Sequence, residues 1–191
     1  MTAGEVLADA LRYRNYLRRG GITISGGEPL LQPAFVHALF HGAKAAGLHT
    51  ALDTSGFLGS RVSDALLEDV DLVLLDIKSG IPETYRRVTG VELAPTLDFA
   101  QRLDALHKSM WVRFVLVPGL TDDEENIAAV ARFVATLGTV GRVEILPFHQ
   151  LGEGKYARLG KPYLLAETQP PTYAQIEQAR AIFRSYGVFA E

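Results

Sequence analysis

The sequence contains no cysteine among its 191 residues. That absence excludes a disulfide-stapled fold and any zinc or iron-sulfur site built from this chain's own thiolates. Long hydrophobic runs are missing as well. The uncharged stretch Phe114 to Leu120 falls far short of the roughly 20 apolar residues that span a bilayer. The first residues lack the basic-then-apolar order of a secretory signal, so a cytoplasmic protein is expected. No block of one charge sign stands out: 19 Lys and Arg face 22 Asp and Glu, for a net charge of −3. This balance argues against a dedicated nucleic-acid or membrane-surface binder and for small-molecule or protein partners. Neither G-x-G-x-x-G nor G-x-x-x-x-G-K-[ST] occurs, which removes the usual phosphate cradles. Internal repeats and low-complexity segments are also absent.

What is present is an alternation of short apolar strands with amphipathic helices, in a chain 48% hydrophobic and of about one domain's length. Thr2 and Glu5 have capping-box spacing and open a helix expected to run past Leu17 until Gly20 and Gly21 stop it. Arg12, Arg14, Arg18 and Arg19 then form a solvated face with Asp9. Strands are predicted at Ile22 to Ile24, Thr50 to Leu52, Leu72 to Leu75, Trp111 to Val117 and Arg142 to Leu146. Between them, helices are predicted near Pro33, at Ser63 to Asp69, Pro82 to Val88, Leu97 to His107 and Ile127 to Leu137. Thr121 with Glu124 repeats the capping spacing before the last of these, and Asp122 to Glu125 read as helix-start carboxylates that favour the positive end of the dipole. Residues 152–171 read as a long loop, followed by a C-terminal helix and tail over 172–191 that Thr172 and Gln175 open. The fold class is α/β: a single domain forming a partial TIM-type (β/α) barrel of about five parallel strands. An open doubly wound sheet is the runner-up.

In such a barrel the chemistry gathers where the strands end. Those positions hold Gly26, Gly27 and Glu28, then Asp53 and Thr54, then Asp76 and Lys78, then Arg113, then His149. The glycine pair allows close backbone approach to a ligand, and Glu28 can accept from an ammonium group; a simple turn before Glu-Pro is the alternative. Asp53, Thr54 and Asp76 offer hard oxygen ligands to a cation. Lys78 shares a face with Asp76 if the strand persists, and a buried Asp-Lys ion pair is then the bland alternative. Arg113 sits in a strand so apolar that it requires a carboxylate or ligand partner. His149 either contacts an aromatic or ribose-bearing ligand or is ordinary surface.

Ser25-Gly26-Gly27-Glu28-Pro29, Leu52-Asp53-Thr54-Ser55-Gly56, Leu75-Asp76-Ile77-Lys78, Val112 to Gly119 and Leu146 to Gly152 follow one another in an order that resembles the glycyl-radical-enzyme activating enzymes of the radical S-adenosylmethionine superfamily. The resemblance implies a six-stranded partial barrel, here without its first strand, with S-adenosylmethionine across the strand tops. It implies that Gly26, Gly27 and Glu28 hold the methionine ammonium. Asp53, Thr54, Asp76 and the Leu74 carbonyl would form a monovalent-cation site beside the methionine carboxylate, with Lys78 and Arg113 adding positive charge. His149 and Leu151 would meet the nucleoside end. In the family a [4Fe-4S] cluster on a C-x-x-x-C-x-x-C loop, reduced by flavodoxin or ferredoxin, cleaves the sulfonium, and the 5′-deoxyadenosyl radical takes hydrogen from a glycine of the partner enzyme. Without cysteine these residues cannot hold that cluster, so the chain alone is expected to be inactive. A truncated piece of a longer protein is favoured over a natural short relative, because the apparent ligand residues remain while one contiguous part is missing. The strand Ile22 to Ile24 is then an exposed sheet edge in need of a cover. Two other classes stay open: a Schiff-base aldolase using Lys78, and a non-catalytic domain that docks on a partner.

Overall fold

The computed structural model describes residues 1–14 and 20–191, apart from the side chain at 155. Strands β1 (Gly21–Ile24), β2 (His49–Thr54), β3 (Leu72–Asp76), β4 (Met110–Leu116) and β5 (Val140–Pro147) form one sheet in the order β1-β2-β3-β4-β5. β1 pairs parallel with β2 and β2 with β3, in registers that set Ile24 beside Leu52 and Asp53 beside Leu74. Strictly sequential order has no switch point, so the doubly wound alternative is excluded and the (β/α) repeat of a partial barrel stands.

Helices α1 (Ala3–Leu11), α2 (Pro33–Ala45), α3 (Asp64–Glu68), α4 (Pro82–Thr89), α5 (Ala94–Ala105), α6 (Glu124–Val134), α7 (Glu153–Arg158) and α8 (Tyr173–Ser185) complete the described residues. Of the three expected capping boxes, those at Thr2 and Thr172 form. The first helix ends at Leu11, short of the expected run to Leu17, and residues 12–14 form a turn; the rest of that run, with Arg18 and Arg19, lies outside the described residues. Arg12 pairs with Asp9 at 3.3 Å on the exposed face of α1.

The chain divides into two compact units. The first comprises 1–76, 94–112 and 137–141 and the second 77–93, 113–136 and 142–191. In the first, Val73 and Leu75 are fully buried while Leu72, Leu74 and Asp76 on the opposite pleat keep partial access. Its lower end is tied by Asp71, whose carboxylate accepts from Lys44 Nζ at 2.6 Å and from the Thr50 N–H at 2.9 Å. Burial pushes the Asp71 carboxyl up, but the Lys44 and Thr50 hydrogen bonds outweigh it and the group titrates below its ordinary value. In the second unit Phe114 packs edge-on against Phe183 of α8, ring centres 6.0 Å apart, and Val143 bridges Ala190 in parallel.

Two local expectations are corrected. Thr121 does not cap α6: its hydroxyl donates to the Val115 carbonyl and accepts from the Val117 N–H, both at 2.8 Å. Asp123 caps instead, accepting from the Glu125 and Asn126 N–H groups. Nor is 152–171 all loop. Its first residues form α7, and the Gln150 amide donates to the Ala166 carbonyl at 2.6 Å, closing the segment on itself.

Candidate functional site

In the first unit the end of β1 turns through Gly26 at φ 148°, in the region that favours glycine, and a Cβ built there or on Gly27 meets nothing within 4 Å. Open space therefore lies over this backbone. Glu28 holds the turn from beneath. One carboxylate oxygen accepts from the Leu30 N–H (3.0 Å) and Thr54 Oγ1 (2.7 Å), the other from the Ser55 N–H (3.0 Å) and Ser55 Oγ (2.5 Å). These contacts fill the roughly four acceptor sites of a carboxylate. The side chain expected to meet an ammonium ion is thus spent on tying the β1 turn to the end of β2. The Gly26 and Gly27 backbone remains as the surface facing the open space.

Thr54 is 3% exposed, and its oxygen also accepts from the Gly56 N–H at 3.0 Å. Asp53 lies on the half-exposed pleat beside Leu74, and Asp76 follows Leu74 by one pleat repeat, so both aspartates face the same side of the sheet. Ser25 Oγ donates to Asp53 at 2.8 Å. Among the described residues, no group of three or more His, Cys, Asp or Glu is arranged to hold a metal ion.

In the second unit the two expected cationic residues lie off the strand ends: Arg113 sits midway along β4 and Lys78 lies beyond β3. β3 stops at Asp76, short of Lys78, so the condition for the shared Asp76 and Lys78 face is not met as stated. The reason lies just beyond: Ser79 Oγ accepts from the Ile81 N–H and donates to Asn126 Oδ1 at 2.6 Å, and the same oxygen takes the Gly80 N–H at 3.0 Å. Asn126 in turn donates to the Thr121 carbonyl at 2.8 Å. This buried network fixes the loops after β3 and β4 on the start of α6. Lys78 lines a cavity of about 470 Å³ together with Arg87, Val115, Phe148, Tyr163 and Leu164.

Arg113 has the carboxylate its apolar strand demanded. Glu144 of β5 stands 3.9 Å from Arg113 Nε and also accepts from Arg142 at 2.7 Å. His149 is exposed and caps a single turn, its Nδ1 accepting from the Leu151 N–H at 3.3 Å, while Leu151 is 83% exposed. Sequence reading missed Ser55, Asn126, Arg87 and Glu144. Only Glu144 left a signal, as an acid alternating with Val143 and Ile145 in an apolar strand.

With that geometry in hand, comparison with known proteins gives concordant results. Residues 1–131 match the model of the radical SAM superfamily. The pyruvate formate-lyase 1-activating enzyme of Escherichia coli K12 is 37% identical over 191 residues, covering 98% of this chain and 78% of that protein. The pyruvate formate-lyase-activating enzyme of Streptococcus mutans is 41% identical, covering 96% and 73%. A crystal structure of a domain of pyruvate-formate lyase-activating enzyme from Bacteroides vulgatus superposes with a TM-score of 0.75 at 26% identity, over 90% of this chain and 98% of that one.

Proposed function

The chain belongs to the radical SAM superfamily, among the activating enzymes of pyruvate formate-lyase, and from that premise we propose that its strand ends bind S-adenosylmethionine. The partner served is a glycyl radical enzyme such as pyruvate formate-lyase, and flavodoxin or ferredoxin is the electron donor in the family's complete system. One observation carries the reading: the Gly26–Gly27 turn, open above and clamped below by Glu28. A side-chain-free turn with open space beside it lets a ligand's ammonium group approach the backbone closely, and any side chain at Gly26 would enter that space.

The remaining roles follow from donor chemistry. Asp53 and Asp76, with Thr54 and the Leu74 carbonyl, take a monovalent cation, which offsets the repulsion of two carboxylates on one face and leaves a position for the ligand's own carboxylate. In the second unit, Lys78 and Arg113 are cationic donors of the kind that suits a carboxylate. His149 and the exposed Leu151 offer a ring and an apolar surface to the nucleoside. S-adenosylmethionine is the family's source of hydrogen-abstracting power; these residues bind and orient it.

The [4Fe-4S] cluster does not fit the residues present. Iron-sulfur clusters are held by thiolates, and the 191 residues contain none. No reaction step is assigned to these residues, and their contribution is confined to binding.

Calorimetric titration of S-adenosylmethionine in sodium, potassium and tetramethylammonium buffers at matched ionic strength tests the proposal. Affinity is expected to be higher in sodium or potassium, and to fall in Asp53→Ala and Asp76→Ala. Equal affinity in all three buffers, unchanged by Asp53→Ala, removes the cation from the site. The aldolase reading makes a separate demand, a borohydride-trapped adduct at Lys78, and no observation favours it.

A further inference from the structure

In the first unit, two histidines stand one turn apart on α2: His37 and His41. Their spacing puts both imidazoles on one face of the helix, the arrangement through which a helical histidine pair takes up a single metal ion. The rings meet edge to face with centres 6.3 Å apart. Ala34 and Ala38 lie on the same face, and with the two rings they line an open groove of about 350 Å³. Both side chains are accessible, His37 at 38% and His41 at 77% exposure.

A carboxylate serves both rings. Asp69, the C-cap of α3, brings one oxygen to 3.0 Å from His41 Nδ1 and 3.7 Å from His37 Nε2. Among the described residues these two imidazoles are its ion-pair partners, and it is only 17% exposed. An ionised carboxylate accepts and does not donate, so the His41 nitrogen that faces it carries the hydrogen. That fixes the tautomer of His41 and leaves Nε2 with the lone pair a metal needs. His37 is too far from the oxygen for a hydrogen bond, and its ring can turn.

The three side chains do not by themselves enclose an ion. Two imidazole nitrogens suffice as ligands when water fills the remaining positions and the carboxylate stands behind one ring. Nitrogens at 2.0–2.1 Å from one metal put ring centres roughly 5 Å apart, so rings now at 6.3 Å need approach by only about 1 Å.

We propose that His37 and His41 form a two-nitrogen site for a borderline divalent transition-metal ion such as Zn(II) or Ni(II), with Asp69 orienting His41 and offsetting the ion's charge. Imidazole suits these ions, whereas Mg(II) and Ca(II) prefer oxygen. Asp69 leads into β3, so within the first unit the site lies at the end where strands begin. Contacts at that end of a barrel serve stability. A bound ion would strengthen the tie between α2 and the connection from α3 to β3, and would raise the melting temperature.

Calorimetric titration of the untagged 191-residue chain with Zn(II) and with Ni(II) tests the site. Saturable one-to-one binding is expected, without displacement by excess Mg(II). His37→Gln and His41→Gln are each expected to remove it, and Asp69→Asn to weaken it by about tenfold. His107→Asn, at another exposed histidine, is expected to leave it unchanged. Broadening of the His37 and His41 ring signals by Ni(II) locates the ion in the wild-type chain and needs no variant to fold. No saturable binding to the wild type, binding that survives in either α2 histidine variant, broadening centred on another histidine, or displacement by Mg(II) overturns the proposal. Wild-type affinity in Asp69→Asn overturns the part given to Asp69.

Discussion

At the scale of single residues, two carboxylates do opposite work at opposite ends of the first unit. Asp71 stabilises the end where the strands begin. Its folded-state pKa is lowered, so its contribution is complete above the unfolded value of about 3.9 and is lost as pH falls through the folded value. Asp71→Asn, which keeps the shape and removes the charge from Lys44, is expected to cost roughly 1–3 kcal/mol at neutral pH. Urea unfolding at pH 7 and pH 3 checks this. The gap between wild type and variant narrows at the lower pH, and a gap of equal size at both would assign the stabilisation to something other than the ionised group. Glu28 shapes the site instead. Glu28→Gln replaces one accepting oxygen by an NH2 donor, so either Leu30 N–H and Thr54 Oγ1 or the Ser55 N–H and hydroxyl face a donor in place of an acceptor, at a cost of about 1–3 kcal/mol. Faster amide exchange at Ser55 and Gly56 than in wild type is the expected signature.

Among elements, tight backbone approach decides what is tolerated. A Cβ on Gly80 would lie 2.5 Å from the Val130 nitrogen and 2.7 Å from the Ala129 carbonyl carbon of α6. Helix backbone cannot give way as a flexible side chain does, so Gly80→Ala is expected to cost about 1–3 kcal/mol. That corresponds to a lowering of the melting temperature by about 2–4 °C per kcal/mol. An unchanged melting curve would mean that the loop after β3 does not bear on α6. The order of elements was legible in the sequence because β-branched and apolar runs such as Ile22 to Ile24 and Trp111 to Val117 stop at glycine, proline or aspartate. Long-range claims on polar atoms were not legible. Thr121 has the spacing of a cap, but strand-end groups at Val115 and Val117 take its hydroxyl, and Asp123 caps in its place. The Glu28 clamp joins residues more than two dozen positions apart, and α7 hides in a segment whose glycines read as loop. Of the site, the positions Gly26, Asp53, Asp76 and Arg113 could be read from where apolar runs break. Ser25 beside Asp53, Ser55 beside Glu28 and Glu144 beside Arg113 could not, since pairing across strands depends on register.

At the scale of the molecule, the 191 residues divide the proposed site into a part they carry and a part they do not. The strand-end residues that would take S-adenosylmethionine are present, and thiolates for iron are not. Anaerobic treatment of the 191-residue chain with iron and sulfide, followed by metal analysis, is expected to yield no stoichiometric cluster, and recovery of one would require ligands of another kind. The most direct measurement of the central claim is calorimetric titration of this chain with S-adenosylmethionine, beside a Gly26→Val variant whose side chain occupies the open space over the turn. Saturable one-to-one binding that is lost in Gly26→Val is the expected result. Absence of binding to the wild type, or equal binding to both, would contradict the assignment of the Gly26–Gly27 turn as the ligand's seat.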